Sequence, residues 1–510
     1  MFKKVSLTLI SIITAVLFWY VLGEVYVLKE KSDGIDKLQC VSYAPFGKDE
    51  SPFDKKWTLS EELVKKDLAL LSKYTNCIRT YSSVGLEIVP KIARENGLKM
   101  YMGAWVSADK KLTAKEISTM IKLALENRDI IKGVIVGNEV LLRGEATQDE
   151  LTKYIKDVKN ALGDIEVTYA DVWEFWLKNK ALFGVVDFVT IHILPYWEDD
   201  PVGVEKAIEH VIKIREEVSG MIGGKKLLIG ETGWPSEGRM REDALPSKIN
   251  QALFIREFIA KVEPKGWEYN IIEAIDQPWK RVSEGAVGGY WGLFDADRGD
   301  KFVLKGDMSN FFNYKQLSFG TILLILGFSL LLKNVQDNKK IALFSVINTL
   351  FALLFILQIE QFSTVSKSPI EHILSVFILS VHLCIYYFTL SFIATDKRED
   401  KFVTPLFYLS FVTFIFLSAA LAFDGRYRDF KIYAFAISVI SYLLLFRGKF
   451  EGLGYRFYPK TTATFIVMLA VVTFINETYL NIYSDIWIAI SLVFAVIIYK
   501  NGAARKKECS

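Results

Sequence analysis

Between Leu38 and Tyr314 short apolar runs alternate with amphipathic stretches eight times over, and that rhythm leaves few folds open. The spacing predicts strands at 39–44, 77–81, 99–104, 133–137, 166–170, 188–192, 226–230 and 271–275. Helices are predicted at 61–74, 84–96, 114–126, 147–161, 172–179, 201–217 and 246–262. Ser60 before Glu61-Glu62 and Thr147 before Asp149-Glu150 mark helix starts. Eight strands separated by helices in roughly 280 residues match the size and rhythm of a (β/α)8 TIM barrel. A doubly wound sheet is the alternative, but it would be expected to carry a Gly-rich phosphate loop after an early strand, and none is present.

In such a barrel, chemistry belongs to the C-terminal ends of the strands. In KKLLIGETGWPSEG (225–238), Leu227, Leu228 and Ile229 form a buried run, and Gly230, Gly233, Pro235 and Gly238 then break regular structure. Glu231 therefore sits where a strand opens into a loop. GVIVGNE (133–139) repeats the form and ends on Asn138-Glu139. These glutamates end strands seven and four, so barrel closure brings them to one rim. Cleavage of a glycosidic bond with retention needs two carboxyl groups about 5 Å apart. Asn138 is suited to hold the neighbouring sugar hydroxyl, which favours Glu139 as acid/base. Arg79, near Glu231 once the barrel closes, favours an ionised nucleophile there.

Further candidates lie at strand ends: Tyr43, Tyr81, Trp105, Tyr169, Asp171, His192, Tyr196, Asp276, Trp279 and Lys280. Trp105, Trp173, Trp234 and Trp279 are candidate platforms for sugar faces, and Tyr43, Tyr81, Tyr196 and Lys280 candidate partners for hydroxyls. The blander readings weigh against each one singly. A glutamate after a strand is usually a solvated loop residue or a cap. A strand-end aromatic is as often core as platform, and Arg79 can be a structural ion-pair partner. The weight rests on the pair of glutamates.

Beyond Tyr314 the chain becomes a series of long apolar runs, at about 317–333, 341–360, 370–394, 404–423, 430–446, 461–477 and 484–500, each near the length that crosses a bilayer core. An earlier run, Val5 to about Val27, follows Lys3-Lys4 and lacks a clear small-x-small cleavage site. It reads as an uncleaved signal anchor, with a cleaved leader as the alternative. Loops on one side carry sixteen Lys and Arg and the short loops opposite carry four. The positive-inside rule then places both termini in the cytoplasm and the barrel outside. The expected division is an anchor at 1–29, a barrel at 30–315 and an all-α membrane domain of seven helices at 316–510. His382 falls in a span with few other ionisable groups, which argues against an ion-coupled transporter.

Cys40, Cys77, Cys384 and Cys509 show no metal-ligand spacing, and the four histidines are scattered. Cys40 and Cys77 fall in the first two predicted strands and read as buried free thiols, with a disulfide between them as the alternative. No metal and no organic cofactor is implied, and no nucleic-acid partner is expected.

VGNEV (136–140) and IGETGWPS (229–236) resemble the acid/base and nucleophile signatures of family 17 glycoside hydrolases, the β-1,3-glucanases and related glucanosyltransferases. SYAPF (42–46), IRTYSS (78–83), IHILPYWE (191–198), EAIDQPWK (273–280) and YWGLFD (290–295) extend the likeness over about 40–300, the last four more like bacterial members than plant ones. The resemblance implies a retaining enzyme on a (β/α)8 barrel, with Glu139 as acid/base, Glu231 as nucleophile and Asn138 beside the acid. It suggests Glu284 as a supporting carboxylate, at a spacing that departs from the plant pattern. A bacterial membrane enzyme acting outside the cytoplasm on a β-glucan is expected, with hydrolysis and transglycosylation both open. The seven C-terminal spans suggest a role beside a membrane glycosyltransferase. A non-catalytic glucan-binding scaffold and a sugar transporter are the competing classes.

Overall fold

The computed structural model describes residues 2–26, 37–446 and 459–508. Helix α1 (Phe2–Leu22) precedes eight parallel strands that close into a barrel in chain order. These are β1 (Val41–Ser42), β2 (Cys77–Arg79), β3 (Lys99–Ala104), β4 (Ile131–Asn138), β5 (Val167–Val172), β6 (Val189–His192), β7 (Leu227–Thr232) and β8 (Glu268–Ile271). The outer ring is α2 (Glu61–Leu71), α3 (Val89–Glu95), α4 (Lys110–Glu126), α5 (Gln148–Leu162), α6 (Trp173–Lys178), α7 (Val204–Ser219) and α8 (Lys248–Val262). The expected barrel is the fold. Its helices start where the caps lie: Ser60 accepts from the Leu63 amide, and Thr147 and Glu150 form a reciprocal capping box.

Two strands differ from expectation. β1 has only two residues, and β8 lies upstream of the apolar segment 271–275. The reason is side-chain polarity inside the barrel. Asn270 turns inward and donates to Ser42 Oγ (2.8 Å) and the Gly230 carbonyl (2.9 Å), while Tyr269 packs outward on Phe258. That polar interior position hides the strand from a hydrophobic pattern. Cys40 and Cys77 are also not free thiols. They flank the paired positions Val41 and Ile78 on adjacent strands, with Cα atoms 4.3 Å apart, and form a disulfide. Such bonds persist in oxidising compartments.

Below the rim, the disulfide, Tyr101, Ile135, Ala170, Phe188 and Leu228 form a closed apolar plug. Above it Ser42, Arg79, Thr168, Thr190 and Asn270 form a buried polar layer. The plug separates the polar layer from the N-terminal mouth of the barrel.

A short α9 (Arg281–Glu284) is followed by α10 (Tyr314–Ser329), α11 (Asn338–Val365), α12 (Pro369–Thr395), α13 (Asp400–Phe423), α14 (Ile432–Phe446), α15 (Pro459–Glu477) and α16 (Ile482–Glu508). With α1 these give the eight expected apolar helices. Seven are long and apolar enough to cross a membrane, and Ile432–Leu445 is a shorter apolar helix. Helix α1 packs on α10, where Trp19 Nε1 donates to Thr321 Oγ1 at 2.8 Å. Lys4 Nζ reaches the Leu332 carbonyl at 2.7 Å.

The barrel sits at the cation-poor end of these helices, with the C-terminal rim of its strands facing them. After β7, Arg239 donates to the Arg428 carbonyl and pairs with Glu477, and the Met240 carbonyl accepts from Asn481 Nδ2 at 2.8 Å. After β8, Arg281 donates to the Ser366 carbonyl (2.8 Å) and Tyr290 OH to the Thr364 carbonyl (3.1 Å).

Candidate active site

The site forms where β4 and β7 end. Glu231 lies within β7, and Glu139 is the first residue after β4. Glu139 has φ +52°, the left-handed region that non-glycine residues seldom occupy and that concentrates at functional sites. Its amide still donates to the Ala170 carbonyl at 2.8 Å, so the turned residue stays attached to the sheet. A carboxylate oxygen of Glu139, one of Glu231 and a ring nitrogen of His192 all lie within 4.8 Å of one another.

Arg79 organises this group from beneath. Its guanidinium, 1% exposed, donates to Glu231 Oε1 (3.0 Å), to the Gly230 carbonyl (2.7 Å) and to Asn138 Oδ1. One planar fork thus fixes the residue before the first glutamate and the carboxylate of the second. His192 bridges the pair from the side. Its Nδ1 hydrogen-bonds Glu139 Oε1 at 2.9 Å, and its Nε2 lies 3.5 Å from Glu231 Oε1. Glu139, His192 and Glu231 are also the group whose donor atoms could hold a metal ion. Here the Arg79 cation already occupies the charge-balancing position beside Glu231, and Glu139 is bonded to the ring, so the donor set fits a hydrogen-bonded carboxyl pair better.

Burial pushes the Glu139 carboxyl up, but the His192 hydrogen bond and the charges of His192, Arg143 and Arg79 outweigh it and hold the group below the usual glutamate range. A second acidic group adjoins the pair. Glu273, 1% exposed, meets Lys280 at 2.8 Å, and burial, offset by that lysine, pushes its carboxyl up to about 7. Glu284 is pushed up to about 7 by burial, against the pull of Lys280, with Glu273, Glu139 and Glu231 adding their negative charge.

The BtgE/BtgC glycoside hydrolase domain model matches residues 40–292. A glucan 1,3-beta-glucosidase of Arthroderma benhamiae is 28% identical over 262 residues, covering 47% of this chain and 82% of that protein. One from Saccharomyces cerevisiae is 24% identical over 265 residues, covering 48% and 85%. The barrel is the part of the chain that matches this glycoside hydrolase family. Among solved structures, a family 17 beta-1,3-glucanosyltransferase from Rhizomucor miehei is similar at 26% identity and a TM-score of 0.46, covering 52% of this chain and 96% of that one.

Within the glycoside hydrolase domain the expected site residues divide. Arg79, Asn138 and His192 touch the carboxyl pair or each other. Tyr81, Trp105, Trp279, Lys280 and Glu284 keep accessible surface. Tyr81 lies under the Arg79 guanidinium at 4.7 Å and donates to Ser42, and Arg143 stacks on Trp105 at 4.3 Å. Tyr43, Tyr169, Tyr196 and Trp234 do not face the cleft; each is at most 1% exposed. Their polar atoms are used internally: Tyr43 OH on Asp67, Tyr169 OH on Asp171, Tyr196 OH on the Arg239 carbonyl, and Trp234 Nε1 on the Leu245 carbonyl. The aromatic after Glu231 is a core residue, packed on Phe254 with centroids 5.8 Å apart.

Glu273 was not among the expected site residues. The signal lay in EAIDQPWK, whose first residue follows β8 once that strand is placed at Glu268–Ile271. Its raised carboxyl has a measurable consequence. From the ordinary value of 4.5 up to about 7, the folded domain keeps a proton that the unfolded chain has lost. Stability contributed by Glu273 is therefore fullest below that window and falls as pH rises through it. Glu273→Gln is expected to flatten the decline in melting temperature between the acid and alkaline ends of the window. An unchanged decline in the variant would rule the residue out as its source.

Proposed function

We propose that this chain is a membrane-bound, retaining β-1,3-glucan hydrolase or transglycosylase that works by double displacement. The observation that carries the reading is the carboxyl pair of Glu139 and Glu231, close enough for retention. Glu231 is the nucleophile. Arg79 orients it and places a positive charge beside it, while the same arginine leaves the Asn138 amide nitrogen for the hydroxyl next to the reacting carbon. Glu139 is the acid and then the base. In the free site its carboxyl is held low by its cationic neighbours. A sugar seated on the pair deepens the burial that already pushes it up, and so favours the protonated form that must protonate the leaving oxygen. Attack by Glu231 gives a glycosyl-enzyme, which water or another sugar resolves with Glu139 taking the proton back.

The eight apolar helices support membrane insertion, and the cation count supports cytoplasmic termini with the barrel outside. The Cys40–Cys77 disulfide agrees with that placement. The names of the relatives favour a β-1,3-glucan as substrate. The test is product analysis of the full chain in detergent on β-1,3-gluco-oligosaccharides, with Glu231→Ala as control. Products shorter than the input alone identify a hydrolase, and longer products identify a transglycosylase. Wild-type turnover no greater than the control would overturn the reading.

A further inference from the structure

The β6–β8 side of the catalytic rim is built by two parts of the chain. Trp197, just after β6, stacks on Trp291 with centroids 6.5 Å apart and planes 14° from parallel. Tyr427, in the connection between α13 and α14, meets Trp197 edge-on at 6.0 Å. Arg426 of the same connection holds its guanidinium 5.9 Å from the Trp197 ring, and Arg241 of the barrel holds its own at 5.5 Å. Two cations and three aromatic rings from both halves of the protein therefore meet where the loops after β6 and β8 leave the barrel.

The connection is fixed in place. Arg239 donates to the Arg428 carbonyl, and its guanidinium lies 4.6 Å from the Phe430 ring. The Tyr427 carbonyl fits so closely over Gly285 that a Cβ there would lie 2.7 Å from it. Arg428 is occupied by Asp424 and Arg239 by Glu477. Arg426 takes no part in this holding. It is exposed, and among the described residues it has no carboxylate partner.

An exposed arginine against a tryptophan, without an anion, is a planar set of donors beside an apolar face. A pyranose has the matching pattern, with apolar ring faces and an equatorial fringe of hydroxyls. We propose that Arg426 and Tyr427, with Trp197, form a saccharide subsite beyond the sugars held at Glu139 and Glu231, a role that rests on the β-1,3-glucan reading above. The helical half then takes part in substrate recognition and sets how long a glucan the enzyme grips. These are specificity residues, remote from the reacting bond, so they change binding of long chains and leave the chemical step alone.

The experiment compares the full chain with the Arg426→Ala/Tyr427→Ala double variant and with Arg426→Lys, in detergent, on short and long β-1,3-gluco-oligosaccharides. The double variant is expected to raise KM for long chains about tenfold, the equivalent of about 1.4 kcal/mol, with kcat and short-chain kinetics unchanged. Arg426→Lys, which loses the fork and keeps the charge, should fall between. Unchanged short-chain turnover also shows that the variants fold. Equal KM values for variant and wild type on long chains, or equal losses on short and long chains, would overturn the subsite while leaving the glucan reading intact. No Glu231-dependent turnover of any β-1,3-linked substrate would remove the glucan reading, and the subsite with it.

Discussion

Glu231→Gln is expected to lower kcat by about ten-thousand-fold or more while the protein stays folded. A nucleophile whose loss removes a covalent intermediate has effects of this order. The substitution is chosen for its shape. Glutamine keeps an acceptor oxygen where Arg79 Nη1 now donates at 3.0 Å, so the buried arginine retains a partner. What is lost is the negative charge and the ability to attack carbon. A smaller residue gives a complementary result. With Glu231→Gly, a small anion such as azide can enter the vacated space and attack in its place, and the glycosyl azide should carry the anomeric configuration opposite to that of the normal product. Configuration is read by NMR of the first product formed. Glu231→Gln retaining a few per cent of wild-type kcat, or an azide product of unchanged configuration, would remove Glu231 from the nucleophile position.

The second large effect is expected at Arg79, which bonds Glu231 and the residue before Glu139. Arg79→Lys replaces a fork reaching Glu231, Gly230 and Asn138 by a single ammonium that cannot span them. A fall in kcat of about a hundredfold to a thousandfold is expected, with KM little changed, because the lysine holds charge beside Glu231 but not its orientation. Arg79→Ala should also destabilise the barrel. Glu231, 4% exposed, would be left without its cation, and breaking a buried pair in this way costs about 3–5 kcal/mol. Kinetics and thermal unfolding of the two variants separate the effects. An Arg79→Ala protein with wild-type melting and near-wild-type kcat would show that the arginine is dispensable.

The two glutamates were legible because each stands at the break between an apolar run and a glycine-containing loop, and barrel geometry turns two such breaks into one rim. Arg79 was legible for the same reason, at the end of β2. The aromatic residues were not. Tyr43, Tyr169, Tyr196 and Trp234 lie near strand ends as any cleft residue would, and whether such a ring points up into the cleft or down into the packing depends on partners distant in sequence. Trp234 is decided by Phe254 and Leu245, and Tyr43 by Asp67. The Cys40–Cys77 pairing follows from the register of β1 against β2, which the spacing alone did not supply. The placement of the rim against the helices was hidden as well. It depends on Arg239, Arg281 and Tyr290 meeting loops that lie far along the chain.

The barrel joins the helices at both of its ends. Tyr26, just after α1, pairs antiparallel with Met308, shortly before α10, and the two helices pack together below through Trp19 and Thr321. A domain on a single stalk can swing and spin over the surface that holds it. One carried on two adjoining stems, with its rim also tied down by Arg239 and Arg281, has neither freedom. The cleft then keeps a constant bearing relative to the plane of the helices, and any substrate meets it from one fixed direction.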